Sequence, residues 1–360
     1  MTKQITALAS LFLLLHVGLF QAPTRAQQAP SIATLPRITV LTTGGTIAGQ
    51  ASGSSAIGYQ AGQLSGSDLI AAVPGLDKLA VLSVEKISQI GSQDMNDKVW
   101  FDLANRIKEL FDKDGADGVV ITHGTDTMEE TAFFLSLVLS PEKPVVLVGS
   151  MRPSTAISAD GPANLYEAVE VATSPKARGR GVMVVLNDTI HAPRSVTKTN
   201  TTSVQTFVSP NGAEGYVDPA SIRFTSPIIA PAHAPYALLA APPLPRVDII
   251  YAHANMDAAL IEDAVKEGAK GIVLAGVGDG NGSQAAIDAL ANAVKQGVVV
   301  VRASRTGSGF VNRNVEVDDD KLGFVASLDL NPQKARVLCQ LLIANGVTKP
   351  HDVQDAFGGI

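Results

Sequence analysis

Short runs of β-branched and aliphatic residues alternate along this chain with longer segments whose apolar positions recur at helical spacing. In the first half the runs at 37–42, 80–84, 118–122, 145–149 and 181–186 predict five strands. Between them, Val99, Leu103, Ile107, Leu110 and Phe111 share one face of a helix over 97–111, with Asn96 or Asp97 available to cap it. A second helix over about 127–140 is predicted to begin with a capping box of Asp126 and Glu129. Pro162, after Asp160 and Gly161, opens a third that carries Leu165, Val169 and Ala172. Strands alternating with helices imply parallel βαβ units.

The alternation lapses in a Thr-rich polar stretch over 189–207 and again in a Pro- and Ala-rich stretch over 224–245. It resumes with strands at 247–251, 271–275 and 298–302, helices near 258–267 and 284–296, and a last helix from Asn331 and Pro332 to about Asn345. The pattern predicts an α/β chain of two α/β domains with mainly parallel sheets. A larger N-terminal domain over 36–225 is joined by a linker, 226–246, to a smaller C-terminal domain over 247–360. No internal sequence repeat is visible.

The length of 360 residues suits roughly two domains. A net charge of −6, with no basic block and no interleaving of aromatic and basic residues, argues against a nucleic-acid partner. Residues 1–26 follow a different logic: Lys3 precedes an apolar run over 5–20, and Thr24, Arg25 and Ala26 form a small-residue cleavage site. This is the pattern of a secretory signal, interrupted by His16 and too short for a confident membrane span. The expectation is a periplasmic or secreted protein without a membrane anchor. Cys339 is the single cysteine, which excludes an intrachain disulfide and a cysteine-rich metal site. Its neighbours Leu338, Leu341 and Leu342 place it in the core.

Two strand ends carry the candidate chemistry. Residues 42–49 read TTGGTIAG, so the first strand breaks into Gly44 and Gly45 and then presents Thr46. Residues 121–130 read ITHGTDTMEE, where the strand at 118–122 delivers Thr125, Asp126 and Thr127 to a helix start. Carboxyl ends of strands are where open α/β sheets place their ligands. Between Gly49 and Gly66 lies a Gly- and Ser-rich segment with one aromatic, Tyr59; it is either a lid over the site or a surface loop. No GxSxG, HExxH, GxxxxGK[ST] or GxGxxG motif occurs where chemistry would need it. The six histidines lack ligand spacing, and His123 is read as structural. What remains is hydroxyls, one tyrosine, a carboxylate and Lys198, the only charge in the stretch VTKTNTT over 196–202. A threonine hydroxyl is a weak nucleophile until a base removes its proton, and a dehydrated lysine beside Asp126 suits that task.

TTGGTIAG, IGSQDMND (90–97), ITHGTDTMEET (121–131), MRPSTAISADGP (151–162), VTKTNTT and NPQKARVL (331–338) together resemble the bacterial type II, periplasmic L-asparaginases and the related glutaminase-asparaginases. The six separated motifs stand in the same order, and the resemblance covers nearly all of the chain from Leu35 onward. The resemblance implies hydrolysis of L-asparagine to L-aspartate and ammonia through a threonine nucleophile and an acyl-enzyme, with no cofactor and no metal. By the same resemblance Thr46 matches the nucleophile, Tyr59 the lid tyrosine, and Thr125, Asp126 and Lys198 the second catalytic group. Ser92 and Gln93 match positions that hold the substrate's α-carboxylate and α-amino groups, and Asp126 faces the ammonium. Glu316 matches an acidic group supplied by a neighbouring subunit of a homotetramer.

Such a substrate is a zwitterion, and hydroxyls with paired carboxylates suit its two ends. Asp279, in GVGDGN over 276–281, stands where many relatives carry asparagine or another residue near the amino group, which leaves the preference between asparagine and glutamine open. A glutaminase-asparaginase is therefore the alternative within this class. A periplasmic amino-acid-binding protein is the alternative outside it, and turnover separates the two.

Overall fold

The computed structural model describes residues 34–51, 59–60, 64–218, 221–228 and 235–359. The secretory signal expected over 1–26 lies outside them. Its first half runs β1 (Arg37–Gly44), the ribbon strands β2 (Gln50–Ala51) and β3 (Tyr59–Gln60), α1 (Gly66–Ala71), α2 (Leu76–Leu79), β4 (Val81–Ile90), α3 (Asp97–Asp112), β5 (Gly118–Thr122) and α4 (Met128–Val138). There follow β6 (Val145–Val148), α5 (Gly161–Thr173), β7 (Val182–Leu186), β8 (Thr189–His191), β9 (Thr197–Lys198), β10 (Phe207–Val208), β11 (Gly215–Asp218) and β12 (Ser221–Phe224). The second half runs β13 (Val247–Tyr251), α6 (Ala259–Lys266), β14 (Gly271–Gly276), α7 (Gln284–Lys295), β15 (Val299–Ser304), α8 (Asp319–Leu322), β16 (Phe324–Ala326), α9 (Pro332–Ala344) and α10 (Pro350–Gly359).

The α/β expectation is borne out. The large sheet has the order β12-β11-β8-β7-β6-β5-β1-β4; β4 through β7 pair in parallel, and β8, β11 and β12 extend the sheet antiparallel. The small sheet, β13-β14-β15-β16, is parallel throughout. Alternate residues of β5 serve opposite faces: Val119 and Ile121 pack toward α3 and α4, and Val120 toward α5. A strand buried on both faces reads as a continuous apolar run, which is why β5 is so plain in the sequence. The core on the α3 and α4 side continues through α9 to Val273, Val301 and Val325 of the small sheet. One apolar core thus serves both sheets, and α6 and α7 cover the far face of the small one.

From β1 the chain crosses to β4 on one side, and from β5 it moves to β6 on the other. The carboxyl ends of β1 and β5 therefore flank the point where the winding reverses, and a crevice opens between the diverging loops. Thr46 and Thr125 follow these two strand ends.

Several elements differ from expectation. β4 continues to Ile90 through Glu85 and Lys86, because an edge strand tolerates charges that would break a buried run. The predicted capping box of Asp126 and Glu129 does not form: Thr127 is the residue before α4 and makes no side-chain cap. Asp126 turns to Lys198 and Glu129 turns inward, and each finds a cationic neighbour there. The Pro- and Ala-rich segment is packed where it is described, since Tyr236 N donates to Leu137 O (3.0 Å) and buried Leu244 donates to Asp97 Oδ2 (2.8 Å). β8 to β12 and α10 went unpredicted. The strands are two to four residues long, too short to show a period, and α10 buries only Val353 and Phe357.

Candidate active site

The crevice is built from three loops whose backbones touch. β1 ends in Gly44 and Gly45, both at positive φ (113° and 80°). A Cβ on Gly44 would stand 2.4 Å from Ile90 O, and one on Gly45 2.4 Å from Gly124 N. Any larger residue would wedge β1 away from β4 and β5. Thr46 then opens a single 3₁₀ turn, Thr46–Ala48, and is buried. On the β5 side a Cβ at Gly124 would stand 2.6 Å from Ser92 Oγ, which brings in the loop after β4.

Ser92 ties these loops together. Its Oγ accepts from Asp126 N (3.1 Å), and its carbonyl accepts from Thr127 Oγ1 (2.7 Å). Gln93 is exposed beside it, its amide folded back over Gly91, where a Cβ would stand 2.4 Å from Nε2.

Lys198 reaches into the crevice from β9. Its Nζ donates to Thr125 Oγ1 (2.9 Å) and to Asp126 Oδ1 (2.6 Å). The lysine side chain is 17% exposed and the aspartate 58%, so the cation is enclosed while the carboxylate faces solvent. Thr125 Oγ1 donates onward to Met151 Sδ (3.4 Å), a weak acceptor that holds the hydroxyl proton loosely.

Buried groups brace the arrangement. His123 Nδ1 lies 2.6 Å from Gly124 O, and a carbonyl accepts, so Nδ1 carries the hydrogen. Its Nε2 then accepts from Thr131 Oγ1 (2.9 Å), which accepts in turn from Trp100 Nε1 (2.9 Å). Complete burial pulls the imidazole down to about 4, so it is neutral in its working range and acts as a brace for Gly124. Asp160 holds the loop after β6, accepting from Met151 N and Arg152 N (both 2.9 Å). Below Lys198, buried Glu129 accepts from Lys198 N and Thr197 Oγ1 (both 3.3 Å), Asn331 Nδ2 (2.8 Å) and Gln333 Nε2 (3.2 Å). Lys334 Nζ lies 3.7 Å from Glu129 Oε2, and burial pulls it down to about 8. No group of three potential metal ligands occurs among the described residues.

Residues 37–229 match the family model described as asparaginase, N-terminal, and residues 246–357 match that of the glutaminase/asparaginase C-terminal domain. The chain belongs to the asparaginase family. Among the curated relatives of this family, a probable periplasmic L-asparaginase from Haemophilus influenzae is 51% identical, with 90% of this chain and 93% of the relative aligned. L-asparaginase 2 of Escherichia coli is 48% identical, over 90% and 93%. A glutaminase-asparaginase from Pseudomonas fluorescens is 42% identical, over 94% and 93%. The crystal structure of a probable cytoplasmic L-asparaginase from Campylobacter jejuni superposes with a TM-score of 0.86 at 45% identity, covering 90% of this chain and all of that one.

Of the residues that carry the asparaginase resemblance, Ser92, Thr125, Asp126 and Lys198 meet directly, and the loop of Thr46 packs on theirs. Asp279 and Glu316 belong to a second cluster, on loops of the C-terminal half. Asp279 Oδ1 accepts from Asn312 N (2.7 Å), and Glu316 accepts from Asn281 Nδ2. Both loops rest on a buried ion pair: Arg302 meets Asp319 through Nε (2.6 Å) and Nη2 (2.7 Å) and donates to Asp279 O (2.9 Å) and Asn312 O (3.0 Å). Among the described residues no hydrogen bond or ion pair joins this cluster to Thr125, Asp126 or Lys198. The segment over 49–66 is described only in part: β2 and β3 pair Ala51 with Tyr59, and the tyrosine side chain lies outside the description. Met151, Glu129 and Lys334 were missed as site residues. The motifs that contain 151 and 334 were visible, but the contacts span 26 and 138 residues and leave no local pattern.

Proposed function

We propose that the chain hydrolyses the side-chain amide of L-asparagine to L-aspartate and ammonia. The observation that carries this reading is the contact of Lys198 Nζ with both Thr125 Oγ1 and Asp126 Oδ1, beside the buried turn that presents Thr46. Thr46 Oγ1 attacks the amide carbon, assisted by Tyr59; an ester to Thr46 forms, the C–N bond breaks, and nitrogen leaves with the hydroxyl proton as ammonia. Water then attacks the ester, its proton returns to Thr46, and L-aspartate is released. Lys198 relays the proton through Thr125, while Asp126 holds the lysine in place. Ser92 and Gln93 receive the α-carboxylate and α-amino groups. The exposed carboxylate of Asp126 receives the α-ammonium, together with Asp279 and with Glu316 from a second copy of the chain in a homotetramer. Residues 1–26 direct export to the periplasm or beyond.

Mixing Thr46→Ala and Glu316→Ala chains by co-refolding tests the shared site. Mixed dimers contain one intact site and regain activity, whereas verified mixed dimers no more active than the separate variants contradict sharing. A second reading, a glutaminase-asparaginase, is supported by the Pseudomonas fluorescens relative. One methylene is worth about 1–3 kcal/mol of discrimination. Ammonia release from asparagine and glutamine across substrate concentration decides between them: kcat/KM at least tenfold higher for asparagine supports the first reading, and comparable values support the second.

A further inference from the structure

The buried pair of Glu129 and Lys334 grips one stretch of backbone from two directions. Lys334 Nζ donates to the carbonyls of Arg194 (2.9 Å) and Val196, and Glu129 accepts from the Thr197 hydroxyl and the Lys198 amide. Four hydrogen bonds thus converge on residues 194–198, the stretch that ends in Lys198. Glu129 stands in the first turn of α4, three residues after Asp126, and Lys334 in the first turn of α9, in the other domain. Asn331 and Gln333, also from the start of α9, complete the shell of Glu129. A buried ion pair contributes little net stability against apolar residues of the same size, so stability alone does not account for it. Groups that fix the backbone of a working side chain do account for it.

We infer that Glu129 and Lys334 are positioning residues that set Lys198 Nζ between Thr125 and Asp126, so that helix α9 of the C-terminal domain takes part in assembling the catalytic group. The inference rests on the role proposed for Lys198.

The test uses the full chain and ammonia release from asparagine, with each variant assayed well below its own thermal midpoint. Glu129→Leu keeps the volume and removes every acceptor, whereas Glu129→Gln keeps one oxygen. The expected result is a fall in kcat of tenfold or more for Glu129→Leu with KM within threefold. Glu129→Gln recovers most of the lost kcat. The pH profile of kcat for Glu129→Leu moves by about half a unit or more, which a smaller folded fraction would not produce. Should Glu129→Leu not fold, Thr197→Val decides: it removes one of the four hydrogen bonds without touching charge and is expected to lower kcat threefold or more. The inference is overturned if the variant that decides keeps kcat within twofold. Lys198→Met, run in parallel, separates the two layers. An inactive Lys198→Met beside normal Glu129 and Thr197 variants removes only the positioning role, and a fully active Lys198→Met removes the proposed role of Lys198 and this inference with it.

Discussion

Gly45 and Gly124 stand so close that a Cβ on Gly45 would lie 2.4 Å from the Gly124 nitrogen. They belong to the loops that present Thr46 and Thr125, so the separation of the two threonines is set by backbone contact and not by side-chain packing. Gly124→Ala places a methyl against Ser92 Oγ and is expected to cost about 1–3 kcal/mol by overpacking. Gly45→Ala adds the strain of positive φ and should cost more. Urea unfolding measures the loss, and for the folded fraction kcat should fall further than KM rises.

His123 gives stability an acid limb. Its folded value of about 4 lies below the ordinary 6.5, so the unfolded chain binds the proton first as pH falls. The contribution is complete above pH 6.5 and is lost as pH drops toward 4, at about 1.4 kcal/mol per pH unit. Burial shifts His191 in the same direction. Unfolding midpoints of wild type and His123→Gln between about pH 6.5 and pH 5 should converge on the acid side. Parallel curves would show that His123 is not buried neutral.

Glu167 gives the opposite limb. Burial and the neighbouring Asp188 push its carboxyl up to about 8, so the folded chain holds a proton that the unfolded chain releases near 4.5. Stability from this group is lost as pH rises from 4.5 to about 8. Glu167→Gln should therefore gain on wild type over that interval, measured as the difference in unfolding free energy. A difference independent of pH would contradict the shift.

The sequence made the sheet legible where strands are buried on both faces, as at Val119, Val120 and Ile121, and failed where environment overrides composition. β4 keeps Glu85 and Lys86 because it is an edge. Asp126 looked like a helix cap because a carboxylate three residues before Glu129 is a local signal, whereas its partner Lys198 lies 72 residues away. Thr46 and Thr125 were visible as residues at strand ends, and Lys198 as the only charge in the stretch 196–202. Its bracing was invisible: Glu129 reaches its backbone across 69 residues and Lys334 reaches Val196 across 138.

Asp319→Leu should expose the dependence of the second cluster on its buried ion pair. Arg302 would remain buried without a counter-charge, at a cost of about 3–5 kcal/mol. Because Arg302 also holds Asp279 O and Asn312 O, the loops of Asp279 and Glu316 should loosen and KM for asparagine should rise more than kcat falls. A variant with unchanged midpoint and KM would remove this cluster from substrate binding.

The central claim, a threonine amidohydrolase whose proton moves through Lys198, is tested most directly by ammonia release from L-asparagine in the presence of a chelator by wild type, Thr46→Ala and Lys198→Met chains. The account predicts full wild-type turnover in chelator, and a fall of about a thousandfold or more in kcat for each variant, with every protein folded to the same midpoint within a few degrees. Wild-type chains that release no ammonia, or a Thr46→Ala chain that keeps its turnover, would contradict it.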